Sequence, residues 1–170
     1  MAMVRLADGP EFEADVHVAA SPDRVWDLVS DITTPTRFGG ELYEAEWLDG
    51  ATGPAVGATF VGRNRNELLG TWETVSRVFD YRPGHAFGWE VRSSDGGYER
   101  PVARWRFELE PEEGGTRLRQ SVAIGAGASY LVQAIAARPE REEELVGMRL
   151  GMLEKGIRST LDGIRTHAES

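Results

Sequence analysis

The sequence predicts an α+β fold, in which an antiparallel sheet of about seven strands curves around one long helix at the C-terminal end. Three observations carry this. Pro139 to His167 holds Val146, Leu150, Leu153, Ile157, Leu161 and Ile164 at spacings of three and four, one continuous stripe on a helix. Between Phe12 and Ile124, seven short stretches look like strands, several alternating apolar with polar residues as strands with one wet face do. Strands kept apart from helices belong to the α+β class, and the short turns between them make the sheet antiparallel.

The elements follow in order. Residues up to Pro10 read as a loose start. Phe12, Ala14, Val16 and Val18 then alternate with Glu13, Asp15 and His17 as a first strand. Ser21 suits an N-cap and Pro22 a first helical position, and Val25, Trp26, Leu28 and Val29 give the apolar side of a short helix. Thr33 to Gly40 holds Pro35 and two glycines, a turn or a second short helix. Strands are expected at Leu42–Leu48, Ala58–Asn66, Thr71–Tyr81, His85–Arg92, Ala103–Leu109 and Leu118–Ile124. Asp49-Gly50, Arg82-Pro83-Gly84 and the turn beginning at Pro111 separate them. Gly125 to Arg138 starts as a flexible glycine segment and becomes an apolar helical turn, placed where a lid would be. The long helix opens on Pro139, whose missing N–H costs nothing in a first turn. Glu140, Glu142, Glu143 and Glu144 then lie at the positive end of its dipole. At ~1.5 Å per residue it is about 40–45 Å long. Lys155, Arg158, Asp162 and Arg165 take its wet side, and His167 falls in a fraying tail. A curved sheet closing on such a rod leaves a space between them.

Composition narrows the function. A chain of 170 residues suits one domain, 1–170, with a core over about 12–165. A net charge of −9 argues against nucleic acid or an anionic membrane as the main partner. The absence of Cys excludes disulfides, thiolate nucleophiles and cysteine metal ligands. No apolar run is long enough for a signal peptide or a membrane span, so a cytoplasmic protein without membrane insertion is expected. His17, His85 and His167 have no metal-ligand spacing, and neither a dinucleotide fingerprint nor a P-loop is present. GAGAS at 125–129 is not a nucleophile elbow. No metal and no cofactor are expected, and a homodimer is compatible with the sequence.

Candidate site residues come from parity. Phe60, Phe87, Trp89, Trp105 and Phe107 sit on the apolar faces of their strands, and Trp72 reads as inward although its strand alternates poorly. These aromatics either fill a core or line a cavity that stacks on a flat ligand. Asn64 shares the parity of Phe60, and Gln120 that of Leu118 and Val122. A buried amide without a partner costs ~1–3 kcal/mol, so each needs a ligand, a water or a neighbouring group. Arg63 and Arg65 have the opposite parity and belong to the convex face. Along one flank of the long helix run Leu145, Arg149, Met152, Leu153, Gly156 and Thr160. Arg149 either meets a carboxylate, enolate or phenolate in the cavity, pairs with a strand Glu, or lays its stem on the core with its head in water. Gly156 and Gly163 lie near that flank, where a missing side chain leaves ligand volume or admits a strand; Gly147 and Gly151 turn to the wet side.

One resemblance joins these pieces. The first strand followed by Ala20-Ser21-Pro22-Asp23-Arg24-Val25-Trp26-Asp27-Leu28-Val29-Ser30-Asp31 resembles the opening of the START/SRPBCC superfamily, in its bacterial polyketide cyclase/dehydrase-like branch. Gly57-Ala58-Thr59-Phe60 with Gly62-Arg63-Asn64-Arg65, and Arg82-Pro83-Gly84 with Phe87-Gly88-Trp89, fit the same group. So does Arg104 to Pro111 followed by Gly114-Gly115-Thr116-Arg117-Leu118. The resemblance implies a helix-grip: a curved antiparallel sheet around a C-terminal helix, with two short helices after the first strand and a hydrophobic cavity. Members bind lipids, sterols, polyketides or plant hormones and only some catalyse, so no catalytic motif is carried over. The expected function is a carrier or sensor of a hydrophobic, aromatic or polycyclic small molecule. The alternative is a polyketide cyclase or dehydratase, a lyase or isomerase with Arg149 as its one catalytic candidate. A protein-interaction or stress-response module is the third reading.

Overall fold

The computed structural model describes residues 3–170. Met1 and Ala2, the beginning of the expected loose start, lie outside the described residues. The helix-grip is present. Seven strands, β1 (Glu11–Val18), β2 (Leu42–Trp47), β3 (Thr59–Asn66), β4 (Gly70–Arg82), β5 (Ala86–Val91), β6 (Ala103–Glu112) and β7 (Gly115–Ile124), form one antiparallel sheet. Its order is β1-β7-β6-β5-β4-β3-β2. β2 to β7 are joined strand to neighbour, and β1 closes on β7 from Glu11↔Ala123 to Val18↔Thr116. Helices α1 (Pro22–Val29) and α2 (Thr34–Phe38) follow β1, and α3 (Tyr130–Ala137) and α4 (Glu142–Glu169) follow β7.

Two bulges bend the sheet. One lies between Leu42 and Glu44 in β2, the other between Val78 and Asp80 in β4. The second explains why that strand alternates poorly in sequence. Trp72, Thr74, Ser76 and Val78 share the concave parity before it, and Phe79 is the inserted residue. Tyr81, opposite Phe87, resumes that face after it with the parity shifted by one. Phe79 instead lies on the convex side against Gly88. Pro111, read from sequence as a turn, belongs to β6: it lies beyond the last pairing with β5, so no ladder bond on that side needs its N–H.

α4 packs on β1, β7 and the other three helices. It buries Val146, Leu153, Ile157, Thr160, Leu161, Ile164 and Ala168, while Leu150 is only half-buried. Its ends differ from expectation. Pro139–Arg141 is a separate 3-10 turn, so the α-helix starts at Glu142. The Glu142 carboxylate accepts from Arg5 Nε at 3.1 Å and from the Leu6 N–H at 3.0 Å, so residues 5 and 6 of the expected loose start are tied. His167 does not fray. Arg24 donates to the carbonyls of Ala168, His167 and Ser170, and the Ala19 N–H donates to Glu169 at 2.7 Å. A cation on those last carbonyls also matches the negative end of the helix.

The convex face holds a buried charge. Glu90, whose side chain is 5% exposed, accepts from Arg77 at 2.6 Å and faces Arg104 at 3.3 Å. The β5–β6 loop folds Tyr98 onto the Arg77 guanidinium, 4.1 Å from the ring centre. Arg63 joins Glu44 and Glu73 on the same outer face, where its parity put it. Among the described residues no helix is long and apolar enough to cross a membrane.

Candidate functional site

Because α4 covers the β1–β7 side of the sheet, the concave faces of β3 to β6 are left partly uncovered. The gap is a cavity of about 280 Å³, near the lower end of small-molecule sites. Its floor is aromatic. Trp89 stands at the centre, with ring centres of Phe87 at 5.3 Å, Phe60 at 6.0 Å, Phe107 at 6.0 Å and Trp105 at 6.3 Å. The Trp89 and Trp105 rings are 11° from parallel and stack across β5 and β6. Trp72 completes this wall, its side confirmed by the register with Asn64. From α4, Leu145, Arg149, Met152 and Gly156 form the opposite wall. The structure thus brings all the sequence candidates to one cavity.

The polar members have separate fates. Asn64 Nδ2 lies 3.3 Å from Thr74 Oγ1 and 3.4 Å from the Gly62 carbonyl, so its amide has weak partners within the sheet. Gln120 is 3% exposed, paired across strands with Phe107, and its Oε1 accepts no hydrogen bond from the described residues. That orphan carries the ~1–3 kcal/mol cost of an unsatisfied buried group. Arg149 is engaged. It meets the Glu41 carboxylate through two parallel hydrogen bonds of 2.6 and 2.9 Å. Asn66 Nδ2 donates to the same carboxylate at 2.8 Å, and Asn66 Oδ1 accepts from the Leu69 N–H at 2.6 Å. Of the alternatives for Arg149 the ion pair is the one present, although Glu41 precedes β2 instead of lying in it.

Gly156 faces the Gly40 backbone, so its bare position admits the α2–β2 loop rather than a strand. Gly163 does the same for the Phe38 ring.

The mouth was legible in sequence only in the Gly125–Arg138 segment that carries Ser129 and Tyr130. It is rimmed by Leu68 at the β3–β4 turn, Tyr130 on α3 and Met148 on α4, exposed by 69%, 52% and 47%. Ser129 caps α3 by accepting from the Val132 N–H at 3.2 Å. The glycines before it do not act as free hinges. Gly125 N–H donates to the Val102 carbonyl at 2.9 Å and Gly127 N–H to Pro101 at 3.2 Å, and a Cβ at either glycine would overlap the Arg100–Pro101 backbone. Close approach, not flexibility, needs glycine there. Glu41, Leu68 and Thr74 also line the cavity and were missed; only the parity of Thr74 with Trp72 signalled any of them.

Among the described residues no three His, Cys, Asp or Glu side chains cluster as metal ligands do. The family described as polyketide cyclase / dehydrase and lipid transport matches residues 10–169. The chain belongs to this family. Its solved relatives include the polyketide-cyclase-like protein Cgl2372 from Corynebacterium glutamicum, 32% identical over 91% of this chain and 88% of that one, TM-score 0.63. The Zhui aromatase/cyclase from Streptomyces sp. R1128 is similar at 16% identity over 94% and 93% of the two chains, TM-score 0.66. The di-domain ARO/CYC BexL from the BE-7585A biosynthetic pathway is similar at 16% identity over 97% of this chain, TM-score 0.68. This chain spans 53% of BexL. The last two likenesses show the fold alone. No curated protein matches the chain.

Proposed function

We propose that the protein binds a hydrophobic, flat aromatic or polycyclic small molecule between sheet and helix, as a cytoplasmic carrier or sensor. The observation that carries this reading is the cavity itself, with a tryptophan-centred floor and a mouth of exposed apolar residues. Removing such a molecule from water supplies the driving force, and aromatic faces orient it. The test is thermal unfolding during titration with flavonoids, polyketides and lipids. A ligand at ~100 times its Kd adds roughly 2.7 kcal/mol to stability. Absence of any shift up to the solubility limit of every class would refute the reading.

A second reading is a cyclase or dehydratase that folds a poly-ketone chain within the same walls. It is supported by the family and by the names of Zhui and BexL as aromatase/cyclases. Positioning would supply much of the rate, and Asn64 and Gln120 would orient carbonyls. Arg149 serves an enolate in this reading only when Glu41 releases it. Turnover of a poly-ketone by the wild-type protein distinguishes this reading from simple carriage.

A further inference from the structure

The cavity has two electrostatic features that together select a ligand by charge and by the end that enters first. Gln120 lies in a row with Phe107 and Phe87 across β7, β6 and β5, and all three are almost wholly buried. Its Oε1 has no donor among the described residues, and its cross-strand neighbours Ala14 and Phe107 are apolar. Turned about its last side-chain bond, the amide presents this acceptor to the cavity, where it gains from any donor brought to it. The lining cation, by contrast, is already matched. Arg149 and Glu41 neutralise each other, with Asn66 as a third donor. Asp31 accepts from the Thr33 N–H and hydroxyl at 2.9 and 2.7 Å. Arg149 is the one lining cation among the described residues, so an anion would have to displace Glu41 from it to find a partner.

We infer that the cavity selects an uncharged ligand over an anion and takes it hydroxyl-first, its O–H donating to the Gln120 amide while its apolar end remains towards Leu68, Tyr130 and Met148. This rests on the small-molecule reading of the cavity and adds the charge and direction of its ligand. It makes Gln120 the residue that sets specificity and excludes Arg149 from direct contact with the ligand.

Three probes of one shape test it: naphthalene, 2-naphthol and 2-naphthoate at neutral pH, followed by quenching of tryptophan fluorescence. Transfer from water alone ranks naphthalene ahead of naphthol, because a hydroxyl without a partner resists burial. The wild-type protein should reverse that order, binding 2-naphthol about tenfold more tightly than naphthalene, with 2-naphthoate weakest, as a net hydrogen bond allows. In Gln120→Met the reversal should vanish, leaving naphthalene the tighter of the two. Gln120→Leu serves if the first variant does not fold, and the wild-type order needs no variant. Equal binding of naphthalene and naphthol, a preference that persists without Gln120, or tightest binding of naphthoate would each overturn the inference while leaving the cavity reading intact. Failure of all three probes to bind would overturn the inference, and failure of flavonoids, polyketides and lipids as well would overturn the cavity reading with it.

Discussion

Four glycines in α4 have four different surroundings, and their substitutions should separate accordingly. Nothing lies within 4 Å of a Cβ built at Gly147 or Gly151. Alanine there should raise stability by about 1 kcal/mol each, seen as a higher thermal midpoint, since only the entropy cost of glycine is removed. At Gly163 the same methyl overlaps the Phe38 ring, so Gly163→Ala should lose ~1–3 kcal/mol. At Gly156 the nearest atom is Gly40 Cα at 3.7 Å, ordinary contact. Gly156→Ala should fold at least as stably as wild type yet bind ligand less tightly, because the methyl occupies cavity wall. Sequence spacing found the side of the helix for each glycine. It could not find the neighbour, because Phe38 and Gly40 approach from more than a hundred residues away. The same limit hid Glu41, a single carboxylate in an irregular loop with no period to betray its direction.

At the level of the element, strands with regular alternation were legible and strands with inserted residues were not. β6 and β7 kept one parity throughout, so Trp105, Phe107 and Gln120 could be placed from their neighbours. β4 changes parity at Phe79, and the same bulge aims Asp80 at the convex face beside Arg82 and Arg106. Two hydrogen bonds of 3.0 Å from Arg82 hold the Asp80 carboxyl below its ordinary range, against the opposing effect of burial. Between the lowered folded value and the unfolded value near ~3.9 the unfolded chain binds more protons, so stability rises with pH there. The contribution is complete above the unfolded value and is lost as pH falls through the folded one. Urea unfolding should therefore show Asp80→Asn less stable than wild type at neutral pH, with the gap closing in acid. A gap unchanged down to pH ~2 would show that the ion pair is not its source.

Considered as a whole, the molecule has three elements beside its cavity tied together by one carboxylate. Glu41 joins the loop after α2 to α4 through Arg149 and to the end of β3 through Asn66. Arg149→Met should cost about 1–2 kcal/mol, the range for a partly buried charged hydrogen-bonded pair. Hydrogen exchange should quicken at residues 39–42 and 66–70 while β6 and β7 keep their protection. Uniform acceleration over the sheet would mean that the pair supports global stability instead. The architecture was readable because a 28-residue helix and repeated hairpins impose long, regular periods. How far the two halves stand apart was not, since no periodicity encodes a void.

The pairing of β1 with β7 also fixes an order of events in time. The first strand emerges early, but its partner is made roughly a hundred residues later, a separation that belongs to slow-folding topologies. A nascent chain therefore carries its tryptophan-lined trough open until α4 has been synthesised. During that interval the same surface that later receives a guest is most vulnerable to sticking to other chains.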